Sequence, residues 1–71
     1  MQDAIGADLL ERYDRAMARL DEEDRLLLHL RIELEFDYDE IAAMSDRPSR
    51  DAARMAFQRA LARLADVMGH E

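Results

Sequence analysis

The sequence has no cysteine, no tryptophan and no lysine, and it contains two glycines and one proline. Without cysteine, neither a disulfide nor a thiolate metal site can staple a chain of this size. The same usage fits a reducing, cytoplasmic setting. No run of β-branched residues alternates with polar ones, so no half-buried strand is predicted. The longest apolar run, Leu26-Leu27-Leu28, is stopped by His29, far short of the ~20 residues of a membrane span. The first residues lack the basic, apolar and small-residue order of a signal peptide. These absences predict a soluble chain without a membrane partner. At 71 residues it is one domain, and a chain this short buries only about 60% of its unfolded surface, so its stability is expected to be marginal.

What is present favours helix: Ala, Leu, Arg, Glu and Met dominate, all strong helix formers. The expected fold class is all-α. Residues 1–46 hold fourteen acids and five arginines, net −9, and residues 47–71 hold three acids and five arginines, net +2, which sum to the formal charge of −7. An acidic body argues against general affinity for polyphosphate, but the positive charge is gathered in the C-terminal third. Arginine suits bidentate contacts to phosphate or guanine, although its exclusive use equally follows from a GC-rich genome.

Residues 1–7 read as frayed, with Gly6 inside them. A first helix is predicted over Asp8–Leu20, with Leu9, Tyr13, Met17 and Leu20 on one stripe. Asp21 is placed to cap a second helix, with Glu22, Glu23 and Asp24 in its first turn, where the helix dipole favours acids. This helix is expected to reach Glu33 or Leu34. Leu26, Leu27, Leu28, Leu30, Ile32 and Leu34 cover more than half its circumference, so it should lie buried in the middle of a small bundle. Asp37 and Glu40 form an acidic capping box for a third helix, and Phe36 and Ile41 are spaced for a hydrophobic staple. That helix contributes Tyr38, Ile41, Ala42 and Met44, and Pro48 forces it to stop before Arg47. Ser49 caps the fourth helix, predicted to run to Met68 with Gly69 as terminator. Its inward stripe is Ala53, Phe57, Ala60, Leu61, Leu64 and Met68. Arg54 and Gln58 lie on one outward flank, Arg59 and Arg63 on the other, and Met55 between them.

A short helix, a tight turn and a longer, locally basic helix over residues 38–68 is the pattern of a helix-turn-helix. The expected architecture is a small four-helix domain, 1–71, ending in that motif. The ordered set Tyr38-Asp39-Glu40-Ile41-Ala42, Ser49, Ala52-Ala53-Arg54, Arg59-Ala60 and Arg63-Leu64 resembles the C-terminal region 4 of sigma-70 family factors, nearest to the extracytoplasmic-function (ECF) group. Upstream, Ala16-Met17-Ala18-Arg19-Leu20, an acidic turn and the run Arg25–Leu30 are similar too, so the likeness covers about residues 9–67. The resemblance implies a last helix that enters the major groove of the promoter −35 element, contact with the flap of the RNA polymerase β subunit, and capture by an anti-sigma factor. It implies Ser49 as the cap, Arg50 as the first-turn DNA contact, Arg54 as the next basic contact and Gln58-Arg59 at the usual histidine-arginine step. The chain departs from the family at Met55 and Ala56, where a polar residue and an arginine are common, and in its Pro48-containing turn. It also has no region 2, so it is expected to be an excised domain or a free-standing relative.

On this reading Arg50, Arg54 and Gln58 face base edges, Arg47, Arg59 and Arg63 meet phosphate, and Ser49 sits at the DNA-facing helix start. A second reading is a sigma-like interaction module that binds an anti-sigma factor or polymerase without reading DNA. A response-regulator-type output domain is a further, less specific match. No enzyme, cofactor, metal or small-molecule substrate is expected. His29 stands alone among leucines on a solvent-near helix face, and His70 lies in the tail. Neither a glycine-rich phosphate loop nor a serine-histidine pair is visible, and the acids of 37–40 lack the remaining ligands of a calcium loop.

Overall fold

A computed structural model describes residues 2–70, with side chains described from Gly6 onward. The chain is all-α: α1 spans Gln2–Arg19, α2 Glu22–Leu28, α3 Tyr38–Met44 and α4 Arg50–Gly69. No strand occurs among the described residues, and no helix there is long and apolar enough to cross a membrane.

The caps are where the residue types require them. The Asp21 carboxylate accepts from the Asp24 N–H at 3.1 Å. Asp37 and Glu40 exchange reciprocal bonds at 2.9 and 3.0 Å, a complete capping box. Ser49 Oγ accepts from the Ala52 N–H at 3.1 Å. Each cap satisfies orphan donors of a first turn, worth about 1 kcal/mol.

Four features differ from the sequence reading. Helix α1 begins at Gln2, not Asp8: Gly6 costs only ~1 kcal/mol within a helix, and the space where its Cβ would lie is open. Past Leu28 the chain does not continue as α-helix but widens into a π-helical turn, His29–Glu33, whose end is tied by Leu34 N–H to His29 O at 3.1 Å and Phe36 N–H to Leu30 O at 3.0 Å. Leu30 is fully buried, while Ile32 and Leu34 in and after the widened turn, and Leu26 before it, are exposed, so the second helix is not buried all round. Met44 and Leu61, expected in the core, are 56% and 41% exposed; α3 is too short for its last turn to be covered, and Leu61 lies on the solvent edge of the buried stripe of α4. Gly69 does not terminate α4 through a left-handed conformation: no glycine has positive φ, the helix includes Gly69, and His70 caps it.

Helix α4 is the hub, packing against α1, α2 and α3. Ala53, Ala56, Phe57, Ala60 and Leu64 form its buried face. The alanines let neighbouring backbones approach, and Phe57 fills the space beneath α3. Leu27, Leu28, Leu30 and Ile41 are the largest fully buried side chains, each contributing about 1.5–3 kcal/mol by removal from water. Phe36 packs against the same core as Ile41, as a staple requires.

Candidate nucleic-acid interface

The α3–α4 connection is built from local rules. Ser45 ends α3, Asp46 takes a left-handed φ of 58°, and the Arg47 N–H donates to Ala42 O at 2.8 Å. A six-to-one bond around a left-handed residue is a Schellman-type stop; Asp, with its short polar side chain, tolerates that conformation better than most residues. Pro48 follows, and Ser49 starts α4. The start of α3 is held from behind. Arg31, on the π-helical turn, donates to Phe36 O at 2.9 Å and places its guanidinium 4.6 Å from the Tyr38 ring centroid. Tyr38 in turn packs on Phe57, with centroids 6.1 Å apart and planes tilted by 56°. Arg31 thus helps fix the angle between α3 and α4. The sequence reading assigned it no role, because the ring it covers belongs to another element.

The seven residues expected at the interface separate into three groups. Arg50, Arg54 and Gln58 are exposed and recur every four residues along one flank of α4, spanning about 12 Å at the helical rise. Arg59 is exposed on the other flank, with no ion pair or hydrogen bond among the described residues. Arg47 and Arg63 each reach an acid of α2. The Arg47 side chain is only 20% exposed and reaches Ser45 O at 3.3 Å and Glu23 Oε1 at 3.5 Å. Arg63 Nη1 sits 2.7 and 2.8 Å from the two oxygens of Asp24, whose side chain is 7% exposed. Asp24 is the buried charged residue of the described core. Arg63 is therefore an ion-pair partner linking α4 to α2, with its side chain still 55% exposed. Ser49 is committed to its cap.

Acids share this surface. Arg50 Nε lies 4.0 Å from Asp39 Oδ1, and Arg54 Nε lies 3.8 Å from Asp51 Oδ1. The second pair is an i,i+3 neighbour legible in sequence; the pairs reaching Glu23 and Asp24 span 24 and 39 residues and were not. Of the two family departures, Met55 is exposed as expected, but Ala56 is buried. That position faces the core beside Phe57 and Ala60.

A second surface lies at the opposite end of α4. Leu9, Leu10, Tyr13, Ile32 and Met68 line an apolar groove of ≈ 590 Å³, with Asp14 and Glu33 at its edge. Arg12 Nη2 donates to Met68 O at 3.3 Å, tying α1 to the end of α4. The Tyr13 hydroxyl donates to Glu33 Oε2 at 3.3 Å, and His29 Nδ1 lies 3.0 Å from Glu33 Oε1. The Tyr13 pKa is raised above 10.0, first by burial and then by the charge and hydrogen bond of Glu33, with a smaller part from Asp14.

Comparison with family models, with curated proteins and with solved structures finds no match to this chain.

Proposed function

We propose that the chain is a sigma region 4-like, helix-turn-helix domain that recognises a promoter −35 element in bacterial transcription initiation and contacts the RNA polymerase β flap. The observation that carries this reading is the exposed row Arg50, Arg54 and Gln58 on the N-terminal half of α4, at the end of a tightly stopped α3. In such a motif the first turns of the second helix meet base edges. Gln58 pairs with adenine and an arginine with guanine, each worth about 1–3 kcal/mol of discrimination. Arg59 serves the phosphate backbone, and Arg47 does so on release from Glu23. Arg63 is left out of the contact set. The groove of Leu9, Leu10, Tyr13, Ile32 and Met68 is the surface this reading offers to a protein partner, the β flap or an anti-sigma factor.

A second reading is favoured by the same groove and by the engagement of Arg47 and Arg63 within the protein: an interaction module that keeps the fold and binds polymerase or an anti-sigma factor without reading DNA. The variant Arg54→Ala separates the two. If it abolishes preference for a −35 duplex while leaving partner binding intact, the promoter reading stands. If the wild-type domain binds a −35 duplex and a scrambled duplex equally at low salt, that reading fails.

A further inference from the structure

Resting on the promoter reading, the structure points to a built-in electrostatic brake. We propose that Glu23, Asp39 and Asp51 act as intramolecular competitors for the arginines that would meet DNA, so that the isolated domain binds weakly by design of its own surface. Of the four arginines this reading leaves for DNA, Arg47, Arg50, Arg54 and Arg59, three have a carboxylate within 4.0 Å, and the acids come from three helices: Glu23 faces Arg47, Asp39 faces Arg50, and Asp51 faces Arg54. Only Arg59 of this set has no such neighbour among the described residues. A single exposed pair is ordinary; three of the four arginines kept for DNA being matched, while the chain carries −7 overall, is a pattern.

The physics is direct. A phosphate binding Arg47, Arg50 or Arg54 competes with a carboxylate lying 3.5, 4.0 or 3.8 Å from the same guanidinium, and that carboxylate then lies close to the incoming negative charge. Both effects weaken association, and both are screened by salt. Glu23, Asp39 and Asp51 are exposed and none is the N-cap, a role held by Asp21, Asp37 and Ser49. Each lies in the first turn of its helix, so its neutralisation gives up a favourable dipole contact but leaves the cap hydrogen bond in place. Asp24 is different: it is buried, and it belongs to the fold.

The test compares three proteins of full length: wild type, the variant Glu23→Gln/Asp39→Asn/Asp51→Asn, and a control, Asp8→Asn/Glu11→Gln/Asp14→Asn, which removes three exposed carboxylates of α1. Each triple variant changes the formal charge from −7 to −4. Fluorescence anisotropy against a short duplex with a candidate −35 element and a scrambled duplex gives the affinities, and circular dichroism checks that each variant is folded. The first variant is expected to bind about tenfold more tightly than the control at low salt, a few-fold per released pair, with the advantage shrinking as salt rises. Equal gains in both triple variants would overturn the brake and reduce it to net charge. No gain in the first variant, with wild-type preference for the −35 duplex intact, would also overturn it. If no protein distinguishes the duplexes, the promoter reading itself fails and the brake falls with it.

Discussion

The Arg63–Asp24 pair gives the sharpest quantitative prediction. The Asp24 side chain is 7% exposed and Arg63 55% exposed, with Nη1 2.7 Å from the nearer oxygen. A fully exposed pair contributes ~0.2–1 kcal/mol, and breaking a buried one costs about 3–5 kcal/mol. With one partner buried and the other half in solvent, the coupling should fall between, at about 1–2 kcal/mol. The perturbation is a double-mutant cycle of Asp24→Asn, Arg63→Gln and the double variant, measured by urea and thermal unfolding. Arg63→Gln is expected to lower Tm by about 5–15 °C in a domain of this size, because it leaves a buried carboxylate without its cation. Restoring neutrality in the double variant should recover part of that loss. DNA affinity of Arg63→Gln, measured well below its Tm, should be close to wild type. A coupling below about 0.3 kcal/mol together with a large loss of DNA affinity would refute the assignment and return Arg63 to the phosphate contacts.

Further outcomes follow from individual positions. Ser49→Ala removes the acceptor of the Ala52 N–H and should cost about 1 kcal/mol in urea unfolding, whereas Ser49→Gly should cost a few tenths. Glu35 holds φ 58°, a conformation that disfavours a residue with a Cβ; Glu35→Gly should stabilise by about 0.5–1 kcal/mol, less than the full relief because glycine also loosens the unfolded chain. Tyr13 has a folded pKa above the ordinary tyrosine value of 10.0. The folded state therefore keeps a proton that the unfolded chain gives up, so the contribution is complete below about pH 10 and is lost as pH rises through the folded pKa. NMR titration of Tyr13 should show the elevation, and Glu33→Gln should remove part of it, since burial is the larger cause.

What could be read from the sequence was local. Asp21, Asp37 with Glu40, and Ser49 are caps because a short polar side chain three residues from a free N–H needs no tertiary information. The stop before Pro48 and the periodic stripe Ala53, Phe57, Ala60 and Leu64 are of the same kind. The alignment of Arg50, Arg54 and Gln58 on one flank follows from helical spacing alone. Other features needed the packed chain. The chain widens into a π-helical turn after Leu28, with Ile32 and Leu34 exposed, and no residue type marks it in advance. Arg63 looked like every other exposed arginine until α2 brought Asp24 beside it, 39 residues away. Ala56 reads only as a departure from the family pattern, when its angle on α4 already places it beside Phe57 and Ala60 on the core side.

The central claim is tested most directly by an NMR titration of the isotope-labelled domain with a short duplex carrying a candidate −35 element and with a scrambled duplex. The account predicts shifts at Arg50, Arg54 and Gln58 that are selective for the first duplex, with little change at Arg63. Equal shifts with both duplexes, or none with either, would contradict promoter recognition and leave the interaction module, docked at the groove of Leu9, Leu10 and Ile32, as the function to pursue.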